Sequence, residues 1–126
     1  MKNTSIQFKE IISVCRDLYT KKLQDYGPAW RVLRLPSLTD QIFIKVNRIR
    51  TLQEATERLI DEDEEGEFVA IVNYSIMALI QLELGFADQP DLTDEQAIEF
   101  YDKYATIAHD LMMKKNHDYG EAWRDM

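Results

Sequence analysis

EFVAIVNYSIMALIQLEL, residues 67–84, is apolar almost all round, with Phe68-Val69-Ala70-Ile71-Val72 and Ile76-Met77-Ala78-Leu79-Ile80 leaving little polar face. A helix that is hydrophobic on every side belongs in the middle of a bundle. The segment therefore predicts an all-α protein in which other helices enclose this one, with Gly85 as its C-terminal stop. Just upstream, Asp61-Glu62-Asp63-Glu64-Glu65-Gly66-Glu67 interrupts the apolar pattern. Gly66 costs a helix about 1 kcal/mol relative to alanine, so a break or kink is expected there.

Outward from this segment, the 4 glycines and 3 prolines fall between apolar-periodic stretches rather than inside them. That predicts long helices joined by short connections, four of them in a bundle-like arrangement. The first runs from about Ser5 to Gln24 with Phe8, Ile11, Ile12, Cys15, Leu18 and Tyr19 as its stripe. Asp25-Tyr26-Gly27-Pro28 ends it, because Pro28 disfavours helix at the residue before it and Gly27 tolerates unusual dihedrals. A short helical turn through Leu33 follows. A second long helix opens at Leu35-Pro36-Ser37, with Ser37 as N-cap and Asp40 three residues on, and carries the seam Ile42, Val46, Ile49, Gln53, Thr56 and Ile60. After a loop at Asp88 to Leu92, Thr93 and Gln96 form a capping box that opens a fourth helix through about His117.

Residues 17–31, DLYTKKLQDYGPAWR, recur as residues 110–124, DLMMKKNHDYGEAWR, with ten of fifteen positions identical. The offset of 93 extends upstream, aligning Ser13, Val14 and Cys15 with Thr106, Ile107 and Ala108, so whole helices are related. The expected organisation is one helical domain over residues 1–126, in which 5–34 form the first repeat helix and corner and 98–126 begin a second, incomplete repeat. Either the chain is a piece of a longer tandem, or a second copy supplies the missing packing surface, which makes a homo-oligomer the expected state.

Composition removes several classes. With 45% hydrophobic and 30% charged residues, the chain has too few consecutive apolar residues for a membrane span and too many for disorder. A single cysteine, Cys15, excludes an internal disulfide, and the first residues lack the order of a signal peptide, which places the protein in the cytoplasm. The net charge of −8 argues against direct binding of duplex nucleic acid. Yet residues 16–50 carry Arg16, Lys21, Lys22, Arg31, Arg34, Lys45, Arg48 and Arg50 against Asp17, Asp25 and Asp40, a local +5 beside −13 elsewhere. Such a stretch attracts a small anion, or it is simply a solvated face.

The repeat KKxxDYGxAWR, with Lys21, Lys22, Asp25, Tyr26, Gly27, Trp30 and Arg31, is followed by Lys45 and Arg48 on one helix and by Glu67, Asn73 and Tyr74 on the next. This pattern resembles the nucleotide modification associated domain 1 family over nearly the whole chain, and more loosely the all-α nucleoside triphosphate pyrophosphatases of the MazG kind. The resemblance implies a helical domain that binds or processes nucleotides. Where the family pattern has an Asp, this chain has Ala70, which leaves Glu67 one turn earlier as the acidic candidate. The Glu-Glu-x-x-Glu and Glu-x-x-Asp pair of the pyrophosphatases is not present.

Lys45 and Arg48 lie three apart on one side of a helix, and with Lys21 and Lys22 they make a phosphate-sized cationic pocket. Tyr26 or Trp30 beside it would stack on a base. The competing reading has both aromatics sealing the core at the helix corner, with Asp25 fixing the turn. Glu67 and Tyr74 share a helical face, whereas Asn73 is rotated away. With ligand phosphates and water, Glu67 would suffice to hold Mg²⁺ and act as metal ligand or water-positioning base in nucleoside triphosphate hydrolysis. An acidic run at a helix N-terminus is equally explained by the helix dipole. His109 and His117 stand two turns apart, too far to share a metal, and Cys15 sits in an apolar stripe, so none is assigned catalysis. The expected ligand is a small phosphorylated nucleotide. The rival is a non-catalytic interaction or dimerisation module, since Tyr, Trp and Arg are the side chains enriched at interface hot spots.

Overall fold

A computed structural model describes residues 3–55 and 64–120, and these are helical with no strand among them. Four α-helices follow in order: α1 (Thr4–Tyr26), α2 (Leu35–Glu54), α3 (Glu64–Leu84) and α4 (Asp94–Tyr119), with a 3-10 turn at Ala29–Val32 between the first two. The all-α, bundle-like reading holds.

α3 packs against each of the other three helices. The core joins Tyr19 and Leu23 of α1, Trp30 of the turn, Ile76 and Ile80 of α3, and Ala97, Tyr101 and Ala105 of α4. Tyr19 and Tyr101 stack with ring centroids 4.4 Å apart. Both hydroxyls are spent inside: Tyr19 donates to the Ala97 carbonyl at 3.0 Å and Tyr101 to Asn73 Oδ1 at 2.7 Å. Burial pushes both phenols above their ordinary range, so they are neutral structural hydroxyls. α1 and α4 are further tied by the two-pronged Arg16–Asp102 pair and by Ser5 Oγ 2.7 Å from His109 Nε2.

Several boundaries differ from the sequence reading. α2 begins at Leu35 with Arg34 in extended conformation as its N-cap, and Pro36 in the first turn does the initiating, so Ser37 lies inside the helix rather than capping it. Its buried stripe is Leu38, Ile49 and Leu52, with Ile42 and Lys45 half-buried between them, whereas Val46 and Gln53 are exposed. On that stripe Lys45 stands 3.5 Å from Glu67 of α3. Thr56, Ile60 and Asp61 to Asp63 lie outside the described residues. Gly66 sits within the first turn of α3 rather than at a break.

The Thr93–Gln96 capping box forms as expected, each side chain accepting from the other's backbone amide at 3.0 and 2.9 Å. α3 is long and apolar enough to cross a membrane by length and hydropathy, so composition alone excluded a span too strongly. Here it serves as the packing centre for the other three helices.

Candidate functional site

The corner after α1 is built around a buried arginine. Gly27, at φ 60°, turns the chain out of the helix and its amide donates back to the Leu23 carbonyl at 2.8 Å. The 3-10 turn that follows delivers Trp30 and Arg31 into the protein, both buried. Arg31 holds Asp91 through two nitrogens, at 2.8 and 3.2 Å, and donates to the Gly85 carbonyl at 2.7 Å and to Gln81 Oε1. The Gln81 amide in turn donates to the carbonyls of Arg31 and Leu33, at 2.9 and 2.7 Å. The Arg31 guanidinium holds the Asp91 carboxyl below its ordinary range. This clamp fixes the corner to the C-terminal end of α3.

Fixing the corner there opens a cleft of about 400 Å³ between the end of α1, the corner, the middle of α2 and the middle of α3. Its floor is apolar, from Leu18, Leu23, Leu33, Ala70 and Met77. Four aromatic side chains line it: Tyr19, Tyr26, Trp30 and Tyr74. Two cations face it, Lys22 from α1 and Lys45 from α2, and Asn73 completes the lining. Such a cleft offers π-faces and positive charge together, the equipment for a flat ring carrying an anion.

The residues named from sequence fall into three groups. Lys22, Tyr26, Trp30, Lys45, Asn73 and Tyr74 are brought together at the cleft. Lys21 and Asp25 are exposed but do not line it, and Arg48 reaches Glu67 instead. Within the first group the environments differ. Tyr26 is 73% exposed, whereas Trp30 is 8% exposed and its ring centroid lies 6.4 Å from that of Tyr19 in the core, so Trp30 is a wall of the cleft. Asn73 has both ends of its amide engaged, Nδ2 donating to the Cys15 carbonyl at 3.0 Å and Oδ1 accepting from Tyr101. It ties α1, α3 and α4 together while also standing in the cleft lining.

Glu67 is the other departure. Its Oε1 accepts from Arg48 Nε at 2.7 Å and its Oε2 stands 3.5 Å from the Lys45 ammonium, with the side chain only 11% exposed. Two cations on one carboxylate fit a divalent metal poorly, because they neutralise the ligand's charge and repel the ion. Among the described residues no three His, Cys, Asp or Glu side chains converge in a way that could hold a metal. No step through magnesium at Glu67 follows from this arrangement. Cys15 is fully buried, and burial raises its thiol, which agrees with an inert core residue.

Leu18 and Tyr19 read from sequence as the apolar stripe of the first helix and Met77 as part of the apolar third helix, and Leu23 and Leu33 carry no site signal, yet all five line the cleft. Gln81 is absent from the sequence reading. A polar residue inside the apolar run of α3 was the available clue.

Residues 22–82 match the family described as nucleotide modification associated domain 1. The matched stretch runs from Lys22 to Leu82 and so takes in the corner, both cleft lysines and the Glu67 ion pairs. It supports the family resemblance carried by those residues. No curated protein and no solved structure matches the chain.

Proposed function

We propose that this chain is a helical module that binds a small phosphorylated nucleotide in the cleft between α1, α2 and α3. The observation that carries the reading is the convergence of Lys22 and Lys45 with Tyr26 and Tyr74 around one apolar-floored cleft. Lysine ammonium groups meet a phosphate as point charges, while tyrosine faces stack on a base without selecting which base. The family resemblance points the same way. Because Glu67 is committed to Arg48 and Lys45, the reading is binding rather than magnesium-assisted hydrolysis at that residue. A phosphorus NMR series with nucleoside mono-, di- and triphosphates, with and without Mg²⁺, tests it. Shifted or broadened resonances without new phosphate signals are expected, new pyrophosphate or phosphate would make the protein an enzyme, and unchanged spectra throughout would remove the proposal.

A second reading, self-association, rests on a different observation. On α3 the residues Phe68, Val72, Ser75, Leu79 and Leu82 recur at spacings of four, three, four and three, and Phe68, Leu79 and Leu82 are exposed. That is a heptad seam on the most apolar helix of the protein. It is symmetric about Ser75, so a second copy of the chain laid antiparallel would set Phe68 against Leu82 and Val72 against Leu79, with a small residue at the two-fold axis. The two readings are compatible, since this stripe contributes none of the cleft lining.

A further inference from the structure

We infer that Ser5, His109 and Asp110 form a second site, a serine nucleophile with its base, that hydrolyses small carboxylic esters in a cleft between α1 and α4. The site is independent of the nucleotide reading, since its cleft shares no lining residue with the first.

The contacts have a direction. Ser5 Oγ, in the first turn of α1, lies 2.7 Å from His109 Nε2, and His109 Nδ1 lies 3.1 Å from Asp110 Oδ1. A carboxylate only accepts, so Nδ1 carries the ring proton. In the neutral imidazole Nε2 is then the acceptor, and the Ser5 hydroxyl donates to it. A hydroxyl donating to an imidazole whose other nitrogen is held by a carboxylate is the arrangement that activates a serine. Phe8 packs edge-on against the imidazole with ring centroids 5.5 Å apart, and the His109 side chain is 19% exposed, so the ring is held yet reachable. Ser5 and His109 stand 104 residues apart, which is why neither carries a signal along the chain.

Beside this array lies a cleft of about 420 Å³, lined by Phe8, Ile12 and Ala105 as an apolar wall for a short acyl chain and by His109 and Asp110 themselves. Lys9, one turn after Ser5 on α1, lines the same cleft and brings an ammonium to the negative charge that develops on a carbonyl oxygen.

The reaction is acyl transfer to water. Ser5 Oγ bonds to the ester carbonyl carbon while its proton passes to His109 Nε2; the bond to the leaving oxygen then breaks, and that oxygen takes the proton. Water adds to the acyl-serine in the same way, giving its proton to Nε2. The bond between Oγ and the acyl carbon breaks as Oγ recovers the proton, which releases the carboxylic acid. Asp110 touches no reacting atom; it is a positioning residue that keeps the ring proton on Nδ1.

Labelling of the full chain with an alkyl fluorophosphonate, read by peptide mass spectrometry, and hydrolysis of p-nitrophenyl butyrate test this. A phosphonyl adduct on Ser5 is expected. Ser5→Ala and His109→Ala should each lower kcat/KM about a hundredfold or more, with circular dichroism recorded alongside. Ser5→Ala removes only a hydroxyl and keeps the test decisive should His109→Ala fold poorly. Asp110→Asn can offer an amide N–H to Nδ1, which moves the ring proton to Nε2; it should lower kcat about tenfold or more with KM unchanged. His117→Ala, a histidine beside Asp118 on the same helix but with its side chain 90% exposed, should leave adduct and rate unchanged. Hydrolysis that survives Ser5→Ala would belong to imidazole alone and overturns the inference, as does an adduct elsewhere or none. Loss of thermal stability in Ser5→Ala with no adduct on the wild type would leave the Ser5–His109 contact as a tie between helices and overturns it equally.

Discussion

Arg31 shows how one side chain sets a site it does not line. Buried and bound to Asp91, Gln81 and the Gly85 carbonyl, it seats the corner on the end of α3 and thereby fixes where the cleft wall stands. Lysine cannot copy the planar fork, so Arg31→Lys should cost about 3 kcal/mol in urea unfolding, close to the cost of alanine. Asp91 makes the effect depend on pH. Its carboxyl is lowered in the folded state, so its contribution is full above the unfolded value near 3.9 and is lost as pH falls through the lower folded value. The stability gap between wild type and Asp91→Asn should thus be constant from about pH 7 to 5 and shrink below about pH 4; a gap unchanged down to pH 2 would refute the assignment. Residue detail also alters the choice of test for the cleft. Replacing Lys45 and Arg48 together, natural from sequence, would leave Glu67 buried without a counter-charge and unsettle the fold along with the site.

At the scale of elements, the repeated motif ends two helices in related ways. Both α1 and α4 stop at an Asp-Tyr-Gly, with Gly27 and Gly120 at positive φ and each amide donating to the carbonyl four residues back. The two differ in ψ. Gly120, at φ 61° and ψ 36°, is in the left-handed region that asparagine also adopts, whereas Gly27, at φ 60° and ψ −166°, is in a region open essentially to glycine alone. Among the described residues beyond the chain neighbours, no atom lies within 4 Å of a Cβ built at either position, so the cost of substitution is backbone strain. Gly120→Asn should therefore cost well under 1 kcal/mol, and Gly27→Asn about 1 to 3 kcal/mol. Thermal unfolding of the two variants checks this, and equal losses would show that the corners are equivalent.

Over the whole molecule, the most apolar helix is incompletely covered. Only 33% of the most hydrophobic stretch of α3 is buried within the chain, although three helices surround it. Burial of exposed apolar surface is worth about 25 cal/mol per Å², which favours covering the Phe68 to Leu82 stripe with another helix. Leu79→Glu with Leu82→Glu should convert an associated species to monomer in sedimentation velocity while leaving helicity and cleft binding unchanged. A wild-type chain that sediments as monomer at 100 µM would remove the self-association reading.

The helices, the Thr93 cap, the central place of α3 and the corner at Gly27 were legible along the chain, because these depend on short-range periodicity, capping chemistry and backbone freedom. The sequence also picked out six of the residues that meet at the cleft. What each of them does was decided only in three dimensions. Trp30 became a wall, Asn73 a tie between helices, Arg31 a clamp, and Glu67 the partner of two cations, since a polar group's role follows from who satisfies it, and those partners stand 19 to 60 residues away along the chain. Periodicity reports which face of a helix is apolar, but not which neighbour that face or its charges will meet.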